Sequence, residues 1–366
     1  MILCPQCSNL RFPEFSGEWM RYRNDLLFST VSEKNKNKSI TAVLSASQTD
    51  GMVLRDSLGI GIKFEEDSIK TYKIVRNGDY VIHLRSFQGG FAFSERIGVC
   101  SPAYTILRPN AALSHGFLRP YFMSDKFINS LKLVTYGIRD GKSISVEEWL
   151  KLYTYVPEHM EQHKITSFLT LLDERIATQN KIIEKLESLI KGLCQKLTQQ
   201  GIPNITLNNC LECYSSTLQE SSVLEAGDFP VYGATGVCGY TDSPEVIWDS
   251  ILIIKDGASV GVTYYASGKY SAIGTLNRLI ATSGYSLRYL YYCLKVFNFT
   301  PYRTGLAIPH IYFRDYGKAK IWCPPIEEQN RIANVLEKVE QKIATEKSLL
   351  EQLYSQKRFL LQAMFI

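Results

Sequence analysis

The chain has 366 residues, more than one ordinary hydrophobic core holds, so two domains are expected. Apolar residues make up 45% and charged residues 21%, which excludes a disordered chain, and no apolar run approaches the ~20 residues that span a bilayer. The formal charge of +5 becomes informative when divided: residues 1–156 hold 20 Lys/Arg against 15 Asp/Glu, while residues 157–200, 201–323 and 324–366 balance at 6 and 6, 9 and 9, and 6 and 6. That mild basic bias in the first segment is compatible with a polyanionic partner.

The chain starts Met1-Ile2-Leu3-Cys4-Pro5, with no charged lead-in ahead of an apolar stretch, so a cytoplasmic protein is expected. Its nine cysteines are then read as thiols. Cys4/Cys7 and Cys210/Cys213 each have a C-x-x-C spacing that suits tetrahedral zinc. They lie about 200 residues apart, against the ~15–20 that join the halves of an ordinary ribbon, so no metal is expected.

Lys34, Lys36 and Lys38, alternating with Asn35 and Asn37, form a polar basic loop suited to phosphates. Residues 78–84 read as a turn then a strand, and residues 103–107 as a second strand. An apolar-aromatic helical patch covers 117–133, a glycine loop follows at 136–142, and a short strand leads to Pro157. From there the pattern is helical. Pro157 followed by Glu158 and Glu161 suits a helix start, where amides are unpaired and the dipole is positive. Gly201 with Pro203 just beyond marks the stop. Apolar residues step by four and three through Ile165, Leu169, Leu172 and Ile176, then Ile183, Leu186, Ile190, Leu193 and Leu197. The mean spacing of about 3.5 is the narrow seam of a coiled coil.

The plan then recurs. Strands are predicted over 250–255 and 260–265 around the turn Asp256-Gly257, a helical patch over 287–297, a glycine loop over 302–306, and a short strand before Pro324. A shift of 167 residues lays 157–195 on 324–362 with thirteen of 39 positions identical, among them Pro157/Pro324, Gln162/Gln329, Ile165/Ile332, Leu169/Leu336 and Ile176/Ile343. Composition alone gives roughly two or three identities. Gln179 and Glu346 interrupt the two seams at equivalent places, and polar breaks of this kind fix register if the helices pair. The alternative, each helix packing on its own domain, calls for a broader apolar stripe than these heptads present.

These residues resemble the specificity subunits of type I restriction-modification systems. Leu10-Arg11-Phe12-Pro13-Glu14-Phe15 with Trp19 resembles a common start of such chains. Phe229-Pro230-Val231-Tyr232-Gly233-Ala234-Thr235-Gly236, then Gly239-Tyr240, then Ile251 through Gly261 resemble a target recognition domain, and Pro324-Pro325-Ile326-Glu327-Glu328-Gln329-Asn330-Arg331-Ile332 the opening of a conserved helix. The extra Met1–Asn9 stretch and the looser Pro157–Gln162 match depart from the pattern. The resemblance implies an α+β fold with an internal pseudo-twofold repeat. Residues 1–156 and 201–323 would be target recognition domains, and helices 157–200 and 324–366 would pair as an antiparallel coiled coil. It implies a non-catalytic subunit that reads a bipartite duplex DNA target and docks two methyltransferase subunits, with restriction subunits joining through them. No cofactor of its own follows, because S-adenosylmethionine, ATP and magnesium would belong to the partners.

The residues agree that the chain lacks a catalyst. An amino-methyltransferase acting on a flipped base needs an Asn/Asp-Pro-Pro-aromatic loop, and Cys323-Pro324-Pro325-Ile326 has neither flank. Gly257–Gly261 does not continue into a phosphate-binding Gly-Lys-Ser/Thr. Base reading wants Arg or Lys for guanine and Asn or Gln for adenine on braced loops. In the first domain this selects Arg85, Gln88, Arg139 and Lys142; in the second, Lys255, Tyr302, Arg303 and His310. Two rival readings are a coiled-coil scaffold that binds proteins without DNA and a nuclease with an unrecognised site.

Overall fold

The computed structural model describes residues 10–47, 50–58, 66–137, 142–305 and 307–365. The chain forms two compact units, one running to Thr178 and including the stretch from Leu350 onward, the other Gln179–Leu349.

In the first unit, strands β1 (Phe28–Val31), β2 (Tyr80–Ile82), β3 (Ala92–Phe93) and β4 (Thr105–Pro109) form an antiparallel sheet in the order β1-β4-β2-β3. Alternate side chains leave opposite faces. Val81, Ala92 and Ile106 go to one face, buried with Leu44, Met52 and Val75. Phe28 and Tyr80 go to the other, where Phe91, Phe122, Phe127 and Trp149 make an aromatic core with ring centroids as close as 4.6 Å. Edge-to-face and tilted pairs of this kind each add about 0.5–1.5 kcal/mol beyond area burial. The helical patch expected over 117–133 is broken into Arg119–Phe122, Asp125–Ser130 and a 3-10 turn Leu131–Val134. Ser124 makes the break: its backbone is extended and its Oγ accepts from the Phe127 N–H, a cap that restarts the helix. An unanticipated strand, Met20–Arg23, pairs with Tyr153–Val156 and closes the unit where the long helix departs.

That helix, α1, is His159–Thr198. The second unit follows with β5 (Leu211–Ser215), β6 (Ser250–Ile254), β7 (Thr263–Ala266) and β8 (Leu276–Ala281), in the order β5-β8-β6-β7. The first sheet's topology is repeated. A smaller sheet (Phe229–Gly233 between Gly236–Thr241 and Ser271–Ala272) covers one face, and helix α2 (Leu287–Lys295) the other. Helix α3, Ile326–Met364, completes the chain.

The first turns of α1 share the first unit with the last turns of α3, and the remainder of each shares the second unit, so the two run antiparallel. In the first unit Lys357 pairs with Asp173 at 2.5 Å; in the second Lys347 pairs with Glu187 at 2.6 Å. The polar breaks meet. Gln179 Nε2 donates to the Glu346 carbonyl at 3.0 Å and to its carboxylate, so positions related by the 167-residue shift bond to each other. Both are buried. The helices also do what the heptads argued against, because Ile190, Cys194, Ile332, Leu336 and Ile343 lie in one buried cluster with Leu279, Tyr289 and Tyr292 of the second sheet and α2. The seam widens at its ends into a face for the globular core.

Each long helix is rooted by the same device. Gln162 Oε1 accepts from the Ser114 N–H at 2.7 Å, while its Nε2 donates to the Pro157 and Ala112 carbonyls. Gln329 Oε1 accepts from the Ser286 N–H at 2.9 Å, and its Nε2 donates to the Pro324 carbonyl.

Candidate nucleic-acid interface

In the first unit the chain leaves β2 through a tight turn. The Ser86 Oγ accepts from the His83 N–H at 2.8 Å and His83 Nδ1 accepts from the Arg85 N–H at 3.3 Å, which fixes the single helical turn Ser86–Gly89. Gly90 ends it with φ 76°, and a Cβ there would lie 1.9 Å from the Phe122 carbonyl oxygen, so only glycine fits. Burial pushes the His83 imidazole down to about 4, leaving it a neutral brace. Arg85 and Gln88 are exposed on this turn. Thr135–Tyr136 and Ser143–Ile144 pair antiparallel, and the helical turn packs against the second of these strands. Lys142, just ahead of that strand, is exposed. Arg139 lies outside the described residues, as do Cys4 and Cys7. In the lysine loop, buried Asn35 bonds to Ile40 through both ends of its amide, which leaves Lys34 and Lys36 exposed around it.

In the second unit the turn after β6 and the glycine loop are zipped together. The Gly257 N–H donates to the Pro309 carbonyl at 2.9 Å, the Ile311 N–H to the Lys255 carbonyl at 2.9 Å, and Thr304 and His310 exchange backbone bonds. Side chains reinforce the join: Arg303 Nη2 donates to the Val260 carbonyl at 3.0 Å, and His310 Nδ1 lies 2.6 Å from Asp256 Oδ1. Gly305 takes φ 90° beneath the Ile308 carbonyl. Tyr302 stacks on Phe297 at 5.8 Å and is half-buried, which makes it a support. Arg303 is exposed, while Lys255 and His310 are half-exposed. The sequence reading missed Tyr312 and Arg314, whose guanidinium lies 4.9 Å from the Tyr312 ring beside His310. No local motif separates them from other surface residues.

Among the described residues no group of three or more His, Cys, Asp or Glu is placed to hold a metal. Cys210 is buried and its thiol is pushed up to about 12 by burial, while Cys213 is half-buried. No described helix is long and apolar enough to cross a membrane.

Each unit thus carries exposed cationic side chains on a glycine-braced turn beside a copy of the same four-stranded sheet. Residues 214–355 match the family model of the type I restriction modification DNA specificity domain. A putative type I restriction enzyme specificity subunit of Haemophilus influenzae is 26% identical over 121 residues, 32% of this chain and 31% of that protein. The chain thus matches about a third of that relative's length. In structure, the S subunit of a type I restriction-modification system from M. genitalium has a TM-score of 0.63 at 17% identity, covering 98% of this chain and 99% of that one. A chain from a structure of complex assembly and conformational transition in the type I R-M system has a TM-score of 0.59 at 17% identity, over 96% and 97%. Residues 214–355 are thus similar to a type I restriction modification DNA specificity domain, and the fold of the chain is similar to that of type I S subunits.

Proposed function

We propose that this chain is the DNA-reading subunit of a type I restriction-modification complex, with each α+β unit recognising one half of a split duplex target. The carrying observation is the repetition itself, in which sheet order, helix-root glutamine and glycine-braced cationic turn each occur twice. In the first unit Arg85, Gln88, Arg139 and Lys142 supply the contacts, and in the second Lys255, Arg303 and His310, with Tyr302 bracing. Domain boundaries follow the sequence division at 156, 200 and 323. Two methyltransferase subunits dock on the body, restriction subunits join through them, and the assembly works in the cytoplasm. The chain itself transfers no methyl group and cuts no strand.

The test is reconstitution. The purified chain, incubated with duplex DNA, S-adenosylmethionine and Mg²⁺, should be inert, and methylation should appear only when a methyltransferase subunit is added. Methyl transfer or cleavage by the isolated chain, abolished by a point mutation within it, contradicts the proposal.

A further inference from the structure

The two sheets differ at one row, and among the described residues the difference leaves a half-buried cation without an acidic partner. In the first sheet the fourth β1–β4 pair is Val31 with Ile106, and Ile106 also faces Val81 on β2. This row is apolar, and Ile106 is 0% exposed. In the second sheet the fourth β5–β8 pair is Tyr214 with Arg278, and Arg278 faces Leu252 on β6. The fold therefore does not require arginine at this place, since its other copy fills it with isoleucine. Enclosing a guanidinium costs desolvation that isoleucine avoids.

Arg278 is held by rings and by no acid. Its guanidinium carbon lies 5.2 Å from the Tyr214 ring centroid and 5.9 Å from that of Trp248. Its Nε is buried and without a hydrogen-bond partner. Among the described residues no carboxylate forms an ion pair with it, and the acids nearest in sequence have other partners, Glu212 through the clamp's own Tyr214 hydroxyl. Glu212 accepts from the Tyr214 hydroxyl, Glu245 from Ser216, and Asp249 from Tyr265 and the Gly268 N–H. Tyr214 is 42% exposed and Trp248 51% exposed, so two large aromatic rings frame the cation at the surface. A guanidinium held beside two rings, with its Nε enclosed, has its two terminal nitrogens left to donate, and paired donors of this kind recognise the paired oxygens of a phosphate.

We propose that Tyr214, Arg278 and Trp248 form a clamp for one backbone phosphate of the bound duplex, outside the loops at 255–261 and 302–310. This rests on the DNA-reading function proposed above. The clamp suits the second domain, whose residues 201–323 balance at 9 cationic and 9 acidic side chains and so hold little general attraction for phosphates. A phosphate contact strengthens binding without selecting sequence, and it adds about 0.9 to the dependence of log affinity on log salt.

The experiment uses the full chain in complex with its methyltransferase subunits, titrated by anisotropy against a duplex pool of randomised sequence over a range of salt. Arg278→Leu, which makes the row apolar as in the first unit, should weaken binding roughly three- to tenfold at ~0.1 M salt and lower the slope by about one, equally for all sequences. Its thermal midpoint should not fall. Trp248→Ala, which removes a frame and keeps the charge, should weaken binding less and leave the slope. Unchanged binding by Arg278→Leu overturns the clamp, as does a loss confined to one base position or a defect in subunit assembly with DNA affinity intact. If the wild-type complex shows no salt-sensitive duplex binding, the DNA-reading function fails, and the clamp with it.

Discussion

Replacing the glutamine at the root of a long helix tests the repeat at its most local. Gln329 is 2% exposed and joins two segments that α3 must bring together: the Ser286 N–H ahead of α2, at 2.9 Å, and the Pro324 carbonyl at the helix entry, at 2.8 Å. Gln329→Ala removes both bonds and strands both groups. A net hydrogen bond contributes about 1 kcal/mol, and a buried group left unpaired costs about 1–3, so roughly 2–4 kcal/mol is expected. For a unit of this size that is a fall of ~4–16 °C in the thermal midpoint. Gln162→Ala loses three bonds and should cost more, about 3–5 kcal/mol. Gln329→Glu keeps the acceptor for Ser286 but buries a carboxylate against the Pro324 carbonyl, so it should cost at least as much as Gln329→Ala. Amide hydrogen exchange localises the effect: Ser286 should lose protection in Gln329→Ala and Ser114 in Gln162→Ala, each without the other. A midpoint within ~2 °C of wild type, or unchanged exchange at Ser286, refutes the claim that this side chain roots the helix.

Other consequences concern pH and specificity. Because burial lowers His83 from 6.5 to about 4, the unfolded chain binds the proton first, and the first unit should lose stability as pH falls from 6.5 to about 4. Urea midpoints against pH should show this slope, and His83→Gln should flatten it; an equal slope in the variant contradicts it. Hydrogen bonds from Lys342 and then Gln179 hold Glu346 below its ordinary 4.5. Its contribution is present above that value and fades as pH drops through the lower folded-state value, so Glu346→Gln should be less acid-sensitive by circular dichroism. Arg139→Ala should relax one half of the target and Arg303→Ala the other, each by ~1–3 kcal/mol if the contact is bidentate to a base. A randomised-site binding comparison in which either variant degrades both halves equally contradicts the assignment.

Periodicity and self-similarity made the paired helices legible, down to the break at Gln179 and Glu346, because a seam repeats often enough to exceed chance. The strands at 80–82, 105–109 and 250–254 were legible from short β-branched runs between turns. What failed was long-range or decided by one cap. Met20–Arg23 becomes a strand only because Tyr153–Val156 lies beside it, and Ser124 divides a run whose composition reads as one helix. The candidate loops were found as turns, but their bracing was hidden: the pairing of Asp256 with His310 and of Arg303 with the Val260 carbonyl depends on segments some 40 to 50 residues apart. Arg278 gave no local signal, since its meaning comes from comparing two cross-strand rows.

The central claim is that one chain reads DNA through two separate units. The most direct measurement is a randomised-site selection on the assembled complex, followed by sequencing of the retained duplexes. The account predicts two short half-sites, each a few base pairs, separated by unspecified bases at one fixed spacing, with half-site centres about one helical turn apart, ~34–36 Å. A single contiguous motif, or half-sites retained at many different spacings, contradicts it.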